Sequence, residues 1–323
     1  MVELSNKNLP IIFMIGGQGS QYYQMGIKLY QNNYIFKKWL CKCSEIVKNF
    51  DSDIDLIDQI YNNPFHLPFK ELKYTHPAVV CIEYALYKTL IEEGIKPDYV
   101  LGSSLGEFTA SIIVEAVSLE EGLRLVLKHA ETIKKHCAKG GMTVVLGPIE
   151  LIEKLDLNQK ITIAGINFNN HFIIAGLLHE LNHVENYLKQ KEIHFQRLPV
   201  EYGFHSSGID RAELEFKDYC RKFNFNYPKI PMLSGLDVKQ IKQISQDYLW
   251  EVTRKPLNFQ KIILNLEESL KAIYIDLTPN STLANFVKYN ISSDSESKYF
   301  SIFSAFNMEF KNLEMIKKEY YCR

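Results

Sequence analysis

Arginine is scarce in this chain. Of 37 basic residues in 323, the arginines are Arg124, Arg197, Arg211, Arg221, Arg254 and Arg323, and the rest are lysines. With 38 acidic residues the net charge is −1, and no basic block interrupts the sequence. That argues against nucleic acid as a main partner, because binding a phosphate backbone needs a clustered positive field. The six cysteines (Cys41, Cys43, Cys81, Cys137, Cys220 and Cys322) never fall at C-x-x-C spacing. A disulfide framework or a thiolate zinc site is therefore not expected, and a reducing cytosol is the simplest home. No apolar run approaches a membrane span, and Met1 to Asn8 carry no signal-peptide core, so a cytoplasmic protein without a membrane partner is expected. Internal repeats and low-complexity tracts are also missing.

What is present is the composition of a globular protein, 46% hydrophobic and 23% charged. A chain of this length exceeds one ordinary core, so a large domain with an insert, or two domains, is expected. Ile11–Ile15 is a continuous apolar run that suits a buried parallel strand. It runs into Gly16-Gly17-Gln18-Gly19-Ser20-Gln21. This loop lacks the P-loop lysine and does not fit G-x-G-x-x-G, which leaves it free to lend a backbone N–H to a neighbouring site. Thr75-His76-Pro77-Ala78 opens a long amphipathic helix to about Glu93, with Pro77 suited to a first turn. Another helix starts at the capping box Ser118-Leu119-Glu120-Glu121 and runs to about His136.

Gly140-Gly141 breaks the helical pattern. Beyond it come Met142–Leu146 (strand), Ile149–Leu155 (helix), Ile161–Ile166 and His171–Ala175 (strands), Leu178–Lys191 (helix) and Phe195–Val200 (strand). That βαββαβ order is the signature of a ferredoxin-like unit. Residues 140–205 are therefore expected to be a small ferredoxin-like domain inserted into a large α/β-hydrolase-like domain of residues 1–139 and 206–323, built on a parallel sheet. Ala272–Leu277 reads as a further buried strand of that sheet and Tyr299–Ser304 as its last, with Met308–Tyr321 as a surface helix.

The chemistry centres on Gly102-Ser103-Ser104-Leu105-Gly106, which fits the G-x-S-x-G nucleophile elbow between the strand Tyr99–Leu101 and the helix from Leu105. The pattern selects Ser104 rather than Ser103 as nucleophile and frees the N–H of Leu105 to hold an oxyanion. An ordinary glycine-bounded turn gives the same letters. A serine nucleophile needs a base. Among nine histidines, His205 lies in the glycine-bounded turn Glu201–Gly208, a position that can present a side chain to a cleft.

Two rival readings use the same residues differently. His179-Glu180-Leu181-Asn182-His183 is a literal H-E-x-x-H, which on a helix would put two imidazoles on one face with Glu180 as base. The third histidine of the extended zinc-protease motif is missing, and Leu177, Leu181, Val184 and Leu188 already form an apolar stripe. A solvent-facing pair with no metal is therefore expected. An ordinary α/β-hydrolase would place its histidine late in the chain, whereas here residues 206–323 hold none.

Taken in order, these segments resemble the malonyl-CoA:acyl-carrier-protein transacylase family, including the free-standing acyltransferases of polyketide synthesis. Gly17-Gln18-Gly19-Ser20-Gln21 resembles the family's GQGSQ, Thr75–Ala78 its TQPA, and Gly102–Glu107 its GHSLGE. Ala164-Gly165-Ile166-Asn167 is similar to the small-domain asparagine segment, and Phe204-His205-Ser206 to FHS. Pro256–Phe259 and Ile275–Pro279 are similar to PVQW and EVGP. The resemblance implies a Ser104–His205 dyad acting on acyl thioesters, with the histidine oriented by the backbone carbonyl of Asn258. It implies an oxyanion hole from the N–H groups of Gln18 and Leu105, and no tightly bound cofactor. The substrate would ride on coenzyme A or on the phosphopantetheine of an acyl carrier protein, the implied partner.

Family members that load malonyl carry an arginine on the helix after the elbow, which clamps the substrate carboxylate through two hydrogen bonds. Here His129 stands at that position. Arg124, five residues earlier, would lie about 140° round the helix. Ser103 replaces the histidine of GHS and His76 the glutamine of TQPA. Together with Asn167 and Phe204, these residues are the expected substrate pocket. A subset that lacks the arginine hydrolyses acyl groups from carrier proteins, and this chain looks most like that subset. Three outcomes stay open: hydrolysis of stalled acyl chains, transfer of a malonyl or simple acyl group from coenzyme A to a carrier, and a degenerate carrier-binding scaffold.

Overall fold

The computed structural model describes residues 8–63, 68–151, 161–304 and 306–322. Two sheets organise them. The larger has six strands in the order β11-β10-β1-β2-β7-β8. These are β1 (Ile11–Ile15), β2 (Tyr99–Gly102), β7 (Met232–Ser234), β8 (Lys239–Ile241), β10 (Ile273–Asp276) and β11 (Lys298–Ser301). β1 is central and pairs in parallel with β10 (Ile11↔Ile273) and with β2 (Ile12↔Tyr99). Only β8 runs antiparallel, against β7.

Successive side chains of a strand point to opposite faces, and both faces of β1 are covered. Ile11, Phe13 and Ile15 join the core with Val79, Ala110 and Val126, from the helices Leu72–Glu92, Gly106–Ile113 and Leu119–His136. Ile12 and Met14 pack on the other side with Ile262 and Val287, from the helices Phe259–Ser269 and Thr282–Asn290. An uninterrupted apolar pentapeptide is what such a strand requires. The Ser118 capping box forms as expected, with the serine hydroxyl accepting the Glu121 N–H.

The second sheet has the order β6-β3-β5-β4-β9. Its strands are β3 (Gly140–Leu146), β4 (Thr162–Phe168), β5 (His171–Leu177), β6 (Phe195–Arg197) and β9 (Leu257–Asn258). Leu181, Val184 and Leu188 of the helix Leu178–Gln190 cover one face of it. This is the ferredoxin-like subdomain beside the large α/β domain. Residues 152–160, which hold most of the expected helix Ile149–Leu155, lie outside the described residues.

Three expectations need correction. The helical pattern ends at His136 as expected, but the strand read as Met142–Leu146 starts two residues earlier and takes in Gly140 and Gly141, since β3 pairs with β5 from Gly140↔Leu177 onward. Pro77 lies in the interior of its helix, which begins at Leu72 because burial of Leu72, Thr75 and His76 extends it upstream. The fifth strand of the small sheet, β9, comes from residues 257–258, outside the 140–205 segment, and pairs in parallel with β4. No described helix is long and apolar enough to cross a membrane.

Candidate active site

β2 ends at Gly102 and the next helix begins at Gly106, so Ser104 sits on the link between them. Ser104 has φ 56°, a left-handed conformation that costs a β-carbon-bearing residue on the order of 1–3 kcal/mol and occurs where the fold holds it in place. Three backbone bonds do so: Ser103 N–H to Ile15 O (3.0 Å), Gly106 N–H to Ser103 O (3.0 Å) and Glu107 N–H to Ser104 O (2.9 Å). The flanking glycines are not themselves at positive φ. Gly106 is needed for close approach, because a β-carbon there would stand 2.2 Å from the carbonyl oxygens of Ile15 and Gly16.

His205 Nε2 lies 2.8 Å from Ser104 Oγ. Its Nδ1 lies 2.9 Å from the carbonyl of Lys255. A carbonyl only accepts, so Nδ1 carries the proton and Nε2 turns its lone pair to the serine hydroxyl. His205 is also left-handed (φ 60°), and its N–H donates to Thr253 O at 2.8 Å. Burial pushes the imidazole down to about 4, with Arg254 adding in the same direction and the Lys255 bond opposing, which keeps it an unprotonated base at neutral pH.

The orienting carbonyl is thus that of Lys255, not that of Asn258. Asn258 is otherwise engaged. Its side chain caps the following helix by accepting the Lys261 N–H, its own N–H donates to Gly235 O, and β9 aligns it with Ile166. Lys255 ends the helix Tyr248–Arg254, which brings its carbonyl under the imidazole. Nothing in the residue type signals this, because any amino acid has a carbonyl.

The glycine loop closes on the elbow. A β-carbon on Gly17 would lie 3.1 Å from Ser104 Cβ and 3.2 Å from the nitrogen of Leu105. Among the described residues, the N–H groups of Gln18 and Leu105 donate to nothing within the chain. Thr75 Oγ1 accepts from the Gln18 side-chain amide at 2.9 Å, and His76 Nδ1 stands 2.5 Å from the same nitrogen.

Ser104 and His205 open onto a cavity of about 610 Å³ between the two sheets. Ser103 and Asn167 line it as expected, with Val144, Ile173, Leu198, Phe259 and Phe286 giving apolar walls. No lysine, arginine, aspartate or glutamate is among the described lining residues. A larger, more open recess beside Phe50, Arg124 and Tyr219 contains neither Ser104 nor His205.

His129, His76 and Phe204 do not line the cavity, contrary to expectation. They pack against one another and are buried, because the helices that carry His76 and His129 pack on the elbow helix and Phe204 meets them from the turn before His205. The His129 ring lies 5.3 Å from that of His76, 4.9 Å from Phe216 and 5.4 Å from Phe108. Among the described residues neither His129 nitrogen has a hydrogen-bond partner, and burial with His205 nearby pushes the imidazole down to about 3. A neutral imidazole in an aromatic cage cannot clamp a carboxylate. Arg124 points away, its guanidinium 4.2 Å over the Phe50 ring. In the H-E-x-x-H segment, Glu180 accepts the Leu177 N–H at 2.8 Å and so starts its helix. The described residues contain no group of three His, Cys, Asp or Glu placed to hold a metal.

The acyl transferase domain family model matches residues 12–319. The chain belongs to this family. It is an acyltransferase-family enzyme, and its relatives are polyketide acyltransferase homologues. It is 37% identical over 313 residues to the polyketide biosynthesis acyltransferase homolog PksD of Bacillus subtilis (strain 168), covering 96% of each chain. It is 34% identical to the homolog BaeD of Bacillus velezensis, again over 96% of each. Among solved structures, the malonyl CoA-acyl carrier protein transacylase of Clostridium perfringens has a TM-score of 0.80 at 23% identity, covering 97% of this chain and 99% of that one. The acyltransferase domain of the second module of the salinomycin polyketide synthase has a TM-score of 0.86 at 21% identity, covering 98% and 74%. These two likenesses bear on the fold alone.

Glu83, which belongs to no motif, is fully buried. Its signal was a lone acid in the apolar helical run Val79-Val80-Cys81-Ile82-Glu83-Tyr84-Ala85.

Proposed function

We propose that this acyltransferase removes acyl groups lacking a free carboxylate from the phosphopantetheine arm of a carrier protein of polyketide synthesis, by hydrolysis through an acyl-Ser104 intermediate. The observation that carries the reading is His129. The position of the carboxylate clamp holds a buried imidazole that is not among the residues lining the cavity and whose nitrogens meet no partner among the described residues, and the described cavity wall carries no lysine or arginine. A malonyl carboxylate buried there without a counter-charge would cost several kcal/mol. The choice of water over a second thiol as final acceptor follows the resemblance to the arginine-lacking subset. No tightly bound cofactor is required, and the site of action is the cytoplasm.

In the first half-reaction Ser104 Oγ bonds to the thioester carbonyl carbon while His205 Nε2 takes its proton. The N–H groups of Gln18 and Leu105 hold the oxyanion. The C–S bond then breaks, and the departing sulfur takes the proton from His205. In the second half-reaction water attacks the acyl-serine, gives a proton to His205, and Ser104 leaves with that proton as the free acid departs. The Lys255 carbonyl keeps the proton on Nδ1 and the ring in one orientation throughout.

Mass spectrometry of the protein with acetyl-, malonyl- and longer acyl-carrier thioesters tests this. The expected outcome is an acyl mass on Ser104 from the uncharged acyl groups, free acid released, and little loading from malonyl. Rapid malonyl loading with onward transfer to a carrier would establish the transferase reading instead. Failure of every thioester to acylate Ser104 would leave a carrier-binding scaffold.

A further inference from the structure

The helix Leu72–Glu92 touches the glycine loop at two points, and neither contact is used by the dyad. At one, Glu83 Oε1 accepts the N–H of Gly16 (2.9 Å), the residue that joins β1 to Gly17-Gln18. At the other, Thr75 and His76 hold the Gln18 side-chain amide. His76 and Glu83 are seven residues apart, which puts them within about 20° on one helix face and about 10 Å apart along the axis. The second carboxylate oxygen of Glu83 accepts the Thr109 hydroxyl at 2.8 Å, and Thr109 belongs to the helix that follows the elbow. Glu83 and Thr109 are both fully buried.

One carboxylate therefore ties together the two segments whose backbone N–H groups face the Ser104 site. A buried acid with no cationic partner at hydrogen-bond distance among the described residues is unfavourable for stability alone. Both of its oxygens are nonetheless used, one on the loop and one on the elbow helix. We infer that Glu83 is a positioning residue that sets the separation of the Gln18 and Leu105 N–H groups, with Thr109 as its partner. This rests on the reading of those N–H groups as the oxyanion hole. In Glu83→Gln one acceptor oxygen remains and the other position becomes an NH2 donor, so the Thr109 hydroxyl has to turn round to accept and the tie between loop and elbow helix is remade with altered geometry.

The test is steady-state turnover of an acyl N-acetylcysteamine thioester by the full chain, together with inhibition by an alkylboronic acid, which forms a tetrahedral adduct on serine. Glu83→Gln is expected to lower kcat by about 10- to 100-fold with KM within about twofold, because a displaced oxyanion donor acts on the transition state. The boronate inhibition constant should rise in step with the loss of kcat, which a change in the amount of folded enzyme does not produce. If Glu83→Gln does not fold, Thr109→Val, which keeps the shape and removes the hydroxyl, is expected to show the same pattern, with Thr109→Ser restoring most of the rate. A folded Glu83→Gln enzyme with wild-type kcat, or one whose loss lies in KM alone, overturns the role of Glu83. Turnover that survives Ser104→Ala overturns the site reading, and the inference with it.

Discussion

At the scale of single residues, the dyad is set by what surrounds it more than by what it is. His205 is one histidine among nine, yet the Lys255 carbonyl gives it one tautomer and burial a low proton affinity. The expected consequence is a rate profile in kcat/KM with an acid limb near pH 4 and a plateau through neutrality, since the base must be unprotonated to act. A limb at the ordinary histidine value near 6.5 would mean that the ring is solvated in solution. His129 shows the same principle in another role. Its residue type suggested a polar pocket, and burial among Phe108, Phe204 and Phe216 makes it part of a wall behind the cavity.

At the scale of elements, the elbow depends on how closely β1 and the elbow helix can approach. G-x-S-x-G was legible in the sequence, but the reason for its second glycine was not. That glycine serves the neighbouring strand end instead of its own turn angle. Gly106→Ala is expected to destabilise the protein by about 1–3 kcal/mol, read as a lower urea midpoint, because backbone atoms and not a flexible side chain meet the new methyl. It should also reduce turnover, since Ile15 leads directly into the glycine loop that closes on Ser104. Unchanged stability and rate would show that the two backbones can separate at no cost. Long periodic helices such as Leu119–His136 were readable with their caps. The start of the Leu72–Glu92 helix was not, because buried contacts at Leu72 and Thr75 extend it upstream of the local Thr-His-Pro signal.

At the scale of the whole molecule, Glu107 joins three parts of the large domain. Its carboxyl lies between the hydroxyls of Ser234 on β7 (2.7 Å) and Tyr248 on the helix that leads to Lys255 (2.8 Å). Burial pushes this group up from 4.5 to about 8. Across that window the unfolded chain has released a proton that the folded chain keeps, so the stability present below pH 4.5 is lost as pH rises toward about 8. Each such group contributes a slope of up to about 1.4 kcal/mol per pH unit. Buried Glu83 and Asp276 act in the same direction. The buried histidines, held below their ordinary value, oppose this up to about pH 6.5, so urea midpoints should fall between pH 7 and 8, and Glu107→Gln should flatten that fall in part. An identical slope in the variant would show that Glu107 is ionised throughout.

The sequence by itself determined the α/β class and the family, and it singled out Ser104, His205 and the glycine loop, which the fold brings together. Each of these is written in residue types at fixed short spacing, where local backbone geometry and side-chain chemistry suffice. Only the tertiary structure decided that Lys255 supplies the orienting carbonyl, that β9 joins the small sheet, that Glu83 ties loop to elbow, and that His129 and His76 lie behind the cavity wall. Those facts depend on which backbone oxygen or ring face meets a partner tens of residues away. Such meetings are set by the packing of helices on the parallel sheet, and no local pattern encodes them.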